Sequence, residues 1–125
     1  MPTCDDCFCD STESLIRNLS CGHNFCYFCF SSQCPKCETL VPNEEYYYHK
    51  FQFSVYNYNL EHLIDLIEPV EQLYQMIKTN NVTEAEAIYL KFCKVLVEHQ
   101  LHGLSDLDEP VSKLYQLALK TRALE

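Results

Sequence analysis

The chain has 125 residues, 47% of them apolar, with nine cysteines, nine tyrosines, seven phenylalanines, no tryptophan and only two glycines. Its formal charge is −9, and the first 41 residues set only Arg17 and Lys36 against Asp5, Asp6, Asp10, Glu13 and Glu38, so no basic stripe is present to bind nucleic acid through its phosphates. No apolar run approaches the roughly 20 residues of a membrane span, and Met1 leads at once into PTCDDC rather than a secretory leader, so the chain is expected inside the cell, in cytoplasm or nucleus, with its thiols reduced.

The first element is a cysteine series. Cys4-x2-Cys7 is followed after thirteen residues by Cys21-x-His23-x2-Cys26-x2-Cys29, and after four more by Cys34-Pro35-Lys36-Cys37. These are four short chelating pairs. A tight turn between two thiols aims both at one ion, and two pairs complete a tetrahedron, so eight ligands predict two zinc sites. Chance does not line up four such pairs, and disulfides are not expected in a reducing compartment. Closed four-ligand sites are structural and keep no position open for an activated water, which argues against a zinc hydrolase. Cys9 competes with Cys7 for one ligand place, but Cys7 keeps the x2 spacing of the other pairs. Spacing alone permits a tandem or an interleaved assignment. Leu15, Ile16, Leu19, Phe25 and Phe28 are the expected small core between the sites.

With CGH, FC and CPKC as they stand here, the series resembles a RING finger over residues 1–41. The resemblance implies interleaved sites, with Cys4, Cys7, Cys26 and Cys29 on one zinc and Cys21, His23, Cys34 and Cys37 on the other. Interleaving ties distant segments together where 41 residues cannot bury a sufficient core. The resemblance also implies ubiquitin ligation, in which the finger does no covalent chemistry but holds a ubiquitin-loaded conjugating enzyme in a reactive pose. The implied contact surface is made by Asp5, Asp6 and Phe8 in the first loop and Pro35, Lys36 and Glu38 in the last. Many active members carry Ile, Leu or Val where this chain has Asp6, and Arg or Lys where it has Glu38. The FSSQ link between Cys29 and Cys34 is shorter than in larger RINGs and is shared with compact RINGs resembling SUMO ligases of chromosome pairing. Beyond the finger, FSVYNYNLEHLIDLI resembles the region after the RING in small baculovirus RING proteins.

After the ETLVPN connector the chain repeats itself. LEHLIDLIEPVEQLYQ (60–75) aligns with LHGLSDLDEPVSKLYQ (101–116) at an offset of 41, with ten of sixteen positions identical. Two units of 41 residues, about 42–82 and 83–123, therefore predict an all-α region of stacked helical hairpins over residues 42–125. Residues 46–58, YYYHKFQFSVYNY, alternate like a strand. Their repeat partner has helical spacing, so a helix is expected over about 44–56. In the first unit a second helix follows Pro69, with Val70, Leu73, Tyr74 and Ile77 on its buried stripe. In the second unit, Thr83 and Glu86 form a capping-box pattern. Ile88, Phe92, Val95, Leu96 and His99 carry that helix to about Leu101, and Gly103 is placed to end it. A last helix is capped by Ser105 or Asp108, has Pro110 in its first turn, and buries Val111, Leu114, Tyr115, Ala118 and Leu119. The tyrosines and Cys93 are expected in the core, and His99 and His102 at the surface.

Two repeats are fewer than such arrays need, so a partner or a second copy is expected to cover an exposed end. The resulting expectation is a RING-type ubiquitin ligase whose helical part binds a protein substrate. The alternatives are a zinc-binding adaptor without activity, and a SUMO ligase.

Overall fold

The computed structural model describes residues 3–8, 15–57, 64–101 and 103–123. A small cysteine-rich region comes first, followed by four helices. Its hairpin pairs β1 (Ile16–Asn18) antiparallel with β2 (Asn24–Cys26), in the register Ile16↔Cys26, Arg17↔Phe25 and Asn18↔Asn24. Gly22, at φ 97°, makes the connecting turn, a backbone conformation that other residues rarely adopt. The amide of Asn18 secures the turn by donating to the Gly22 carbonyl and to Asn24 Oδ1.

The helices are α1 (Asn43–Asn57), α2 (Ile64–Lys78), α3 (Ala85–Glu98) and α4 (Ser105–Ala123). Helix α1 resolves the conflict between strand-like alternation and helical repeat. Phe51 and Val55, one turn apart, enter the helical core, whereas Phe53 is fully buried against the cysteine-rich region with Tyr46 beside it. One helix with two buried faces reads as alternating apolar residues without being a strand.

Positions 41 residues apart are buried alike: Phe51 and Phe92, Leu66 and Leu107, Val70 and Val111, Leu73 and Leu114 are each at most 1% exposed. Tyrosines match too. Tyr48 stacks on Tyr74 with ring centroids 4.2 Å apart, and Tyr89 stacks on Tyr115 at 4.4 Å. The hairpins do not stack end to end, however. Helix α1 packs mainly along α4 and α2 mainly along α3, with less contact inside each hairpin. Exchanging α1 with α3 and α2 with α4 leaves this pattern unchanged, as in a pseudo-two-fold arrangement. Interlocking lets two units close one core, which removes the need for a third repeat.

Several local expectations are corrected. Phe28 is 86% exposed, because it sits at the tip of the turn between Cys26 and Cys29; Phe30 takes the core place instead. Thr83 does not cap α3: its hydroxyl donates to Asn81 Oδ1, and Glu84 is the N-cap without a side-chain hydrogen bond. Helix α3 ends at Glu98, before Gly103. Gln100 adopts the left-handed conformation (φ 58°), its N–H donates to the Val97 carbonyl, and the Leu101 N–H donates to Leu96. This is a Schellman ending on a non-glycine residue, repeated at the end of α2 by Asn80 and Asn81. Pro69 and Pro110 lie inside α2 and α4 rather than in a first turn. The turn ahead of each proline carries a fully buried leucine, Leu66 or Leu107, and that burial offsets the hydrogen bond the proline removes. Leu119 faces outward; Leu117 packs on the core in its stead. Cys93 is half-buried against the core, His99 is exposed, and His102 lies outside the described residues.

Candidate metal centre

The x2 turns at the two ends of the cysteine-rich region are built alike. The Phe8 N–H donates to the Cys4 carbonyl at 2.9 Å, and the Glu38 N–H to the Cys34 carbonyl at 2.8 Å. The last residue of each turn is left-handed, Phe8 at φ 65° and Glu38 at φ 61°. In the first turn the Cys7 N–H also points at Cys4 Sγ, at 3.5 Å. Each turn thereby brings its two cysteines together within one hydrogen-bonded loop.

Two sets of ligand atoms converge. Cys4, Cys7, Cys26 and Cys29 form one, and Cys21, His23, Cys34 and Cys37 the other, with the ligand atoms of each set within 4.8 Å of one another. Each set takes one pair from each half of the segment, so the grouping is interleaved, not tandem. The hairpin explains why: β2 ends at Cys26, beside the first turn, while the β1–β2 turn delivers Cys21 and His23 to the other end. The last turn, which carries Cys34 and Cys37, is closed by a bridge between Gln33 and Leu40 and by the Cys34 N–H donating to the Thr39 carbonyl. Cys9 lies outside the described residues, and Cys7 takes the ligand place in the first set.

The geometry suits zinc. A tetrahedral ion with Zn–S of about 2.3 Å has ligand atoms roughly 3.8 Å apart, slightly less to a nitrogen. Cys7 Sγ lies 3.6 Å from Cys26 Sγ, and His23 Nδ1 lies 3.7 Å from Cys21 Sγ and 3.3 Å from Cys34 Sγ. The proton chemistry agrees. Burial raises the Cys4 thiol, but backbone N–H groups of Cys7, Cys26 and Asp6 outweigh it and bring Cys4 to about 6. Cys37 is also brought to about 6, by the hydroxyl and N–H of Thr39; the Thr39 Oγ1 lies 3.1 Å from the Cys37 sulfur. Cys29 and Cys21 move upward, through burial and then through neighbouring sulfurs. Four sulfurs this close shed all their protons together only when a cation balances them.

The residues read as a partner surface divide. Phe8 is 74% exposed, and Asp6, Pro35, Lys36 and Glu38 are exposed as well. Lys36 Nζ lies 6.0 Å from the Phe8 ring centroid, so the two loops meet. Asp5 is half-buried and is also tied to the hairpin. Its N–H donates to the Asn24 carbonyl and its Oδ2 accepts the Asn24 N–H at 2.7 Å, which fastens the first loop to β2.

Sequence reasoning missed the seam with the helices. Phe30 stacks on Tyr46 at 5.3 Å and meets Phe53 at 5.3 Å and His49 at 5.7 Å. Glu45, 6% exposed, accepts the Ser20 N–H at 2.8 Å, one residue before the ligand Cys21. A glutamate that caps backbone 25 positions away leaves no local signal; the one clue was Phe53, an apolar residue on the wrong side of an amphipathic helix.

Fold and site together define the class: a zinc-finger-type domain with two interleaved Cys/His metal sites, joined to a four-helix unit with internal two-fold character. Comparison with protein families, curated proteins and solved structures gives no match.

Proposed function

We propose that this chain is a RING-type ubiquitin ligase. Cys4, Cys7, Cys26 and Cys29 hold one zinc ion, and Cys21, His23, Cys34 and Cys37 hold a second. Both sites are closed by protein ligands, so the ions supply structure and charge balance for the thiolates. The loops they shape present Phe8, Pro35 and Lys36 to a conjugating enzyme loaded with ubiquitin. The chemistry is then an acyl transfer between bound partners. A substrate amine attacks the thioester carbonyl, the C–S bond breaks, the amide forms, and the amine proton leaves with the thiol. The ligase contributes orientation, not a reacting group. The helical unit serves as the substrate-binding module.

The observation that supports this reading best is the meeting of the two loops across the interleaved sites, with Lys36 Nζ 6.0 Å from the exposed Phe8 ring. The test is discharge of a loaded conjugating enzyme onto free lysine. Faster discharge is expected, together with its loss in Phe8→Ala while two metal ions per chain are retained. No acceleration across a panel of ubiquitin-loaded enzymes refutes the reading.

A second reading has its own observation. The exposed Asp6 and Glu38 put two carboxylates on the same surface, where an apolar or basic side chain would serve a conjugating enzyme better. They favour an adaptor that binds partners and discharges nothing. A response to SUMO-loaded enzyme alone identifies a SUMO ligase instead.

A further inference from the structure

A groove of about 660 Å³ lies between α2 and the start of α3. Met76 and Ile88, both half-buried, form its apolar floor, and the exposed Glu68, Glu71 and Glu84 line its rim. No Lys, Arg or His contributes to its lining. Among the described residues, none of the three carboxylates forms an ion pair. They are also absent from the sets of side chains whose oxygens, nitrogens or sulfurs converge as a metal site would require. The charges are spread along a channel, not focused on a point.

The molecule supplies its own comparison. Core positions are kept between the two 41-residue units, yet the rim is not. Glu71 corresponds to Ser112, Glu84 to Asn43 and Gln72 to Lys113, while Glu68 corresponds to Glu109. The rim therefore carries three carboxylates, two from the first unit and one from the second, and no cation, whereas the positions matching the lining carry one carboxylate, Glu109, and two cations, Lys113 and Arg122 (opposite Asn81). The fold demands no such difference, because both halves build the same packing. A rim with carboxylates and no cation belongs to the α2–α3 groove and not to the matching positions of α4 and α1.

We propose that this groove docks a basic polypeptide segment of a partner protein, its Lys or Arg side chains laid across the groove. Their aliphatic stems suit the Met76 and Ile88 floor while their cationic ends meet the rim. From Glu68 to Gln75 the helix rises roughly 10 Å, enough to face about three residues of extended chain. The groove and the Phe8 surface are separate, so docking is testable apart from ligase activity.

The probe is a labelled peptide of alternating Lys and Leu, measured by anisotropy against the whole metal-loaded protein. The expected result is saturable binding that weakens as salt rises. Glu68→Gln, Glu71→Gln and Glu84→Gln combined lower affinity roughly tenfold, as expected for three exposed charge pairs acting together. Glu86→Gln, Glu98→Gln and Glu109→Gln combined change the net charge equally but leave binding within about twofold. Equal weakening by both triple variants means attraction to the overall −9 charge and overturns the proposal. So does unchanged binding in the first triple variant, or no binding in the parent. Matching far-UV spectra establish that the variants are folded. Should the first triple variant fail to fold, Glu71→Lys alone, a reversal at an exposed position, is expected to weaken binding several-fold, and unchanged binding there overturns the proposal equally.

Discussion

Removing the metal ions is expected to unfold more than the finger. Among the described residues, helix α1 is the one element whose side chains enter both cores, Phe51 and Val55 on one face and Phe53 on the other. Without its ions a segment this small loses its own packing. The α1 face made by Tyr46, His49 and Phe53 then loses its cover. Phe53 is fully buried, which is worth about 1.5–3 kcal/mol, and partial uncovering of Tyr46 and Val41 brings the loss to roughly 3–5 kcal/mol. For a helical unit of this size each kcal/mol moves the midpoint about 4–8 °C, so a drop of roughly 12–40 °C is expected. The assay is thermal unfolding followed by helical circular dichroism, in reducing buffer, with and without a strong chelator. Phe53→Ala in the metal-loaded protein is expected to lower stability by about 3–5 kcal/mol. By linkage it also weakens metal binding. Helices that melt within a few degrees of each other with and without metal refute the reasoning, and show the seam to be a contact between independently stable parts.

Two further outcomes are expected. His49 is kept below its ordinary value of 6.5, first by burial, against the opposing pull of Gln52 and Glu45 and with Arg17 nearby adding to the depression. Its Nδ1 lies 3.3 Å from Gln52 Oε1, its Nε2 lies 3.5 Å from Glu45 Oε1, and its ring meets Phe30 edge-on. Above about pH 6.5 both folded and unfolded chains hold His49 neutral. Below that, down to the depressed folded value, only the unfolded chain takes up the proton, so stability falls. Urea titrations from about pH 7.5 to about 5.5 are expected to show a shallower loss for His49→Gln than for the parent, and identical slopes contradict the assignment. Gln100, left-handed at φ 58° in an exposed Schellman ending, is expected to gain about 1 kcal/mol on replacement by glycine, read as a shift in the urea midpoint. A loss there means that the glutamine side chain holds something its exposure does not suggest.

What the sequence made legible follows from how local each cause is. Two thiols separated by a tight turn state their purpose within a few residues, so the four chelating pairs were readable from Cys4 to Cys37, while their interleaved grouping came from the family resemblance and not from spacing. The helical region was readable where one helix buries one face: Val70, Leu73 and Ile77 on α2, Val111, Leu114 and Ala118 on α4. At α1 the helix was readable only through its repeat partner, because two buried faces mimic a strand, and the second buried face was not readable at all. Nor were the helix starts readable at Pro69 and Pro110, where leucines one turn earlier extend helices that proline alone would have started. The offset of 41 announced two similar units, but a period is a statement about sequence, not about which surfaces meet. Stacking and interlocking bury the same stripes. They differ only in whether each hairpin's second helix faces its own first helix or the other unit's, and no residue pattern within one hairpin distinguishes those.

The seam carries the same lesson into function. Phe53 corresponds to Lys94 and His49 to Leu90 at the offset of 41. On α1 that face is buried under the finger, whereas on α3 Leu90 is 58% exposed and the Lys94 side chain 77% exposed. The two units have thus parted in two places while their shared core stayed the same. The first unit became a seat for the metal-binding segment, and the groove between α2 and α3, at the join of the two units, became acidic. A pseudo-symmetric scaffold that keeps its core and changes its faces can hold the finger on one side and receive a partner on another. The finger then stands at a fixed orientation to the groove through Phe53 and the Glu45–Ser20 hydrogen bond. In the ligase reading, that rigid path fixes the reach between a docked basic segment and the thioester, so weakening the seam at Phe53 is expected to lower modification of a docked substrate more than discharge onto free lysine.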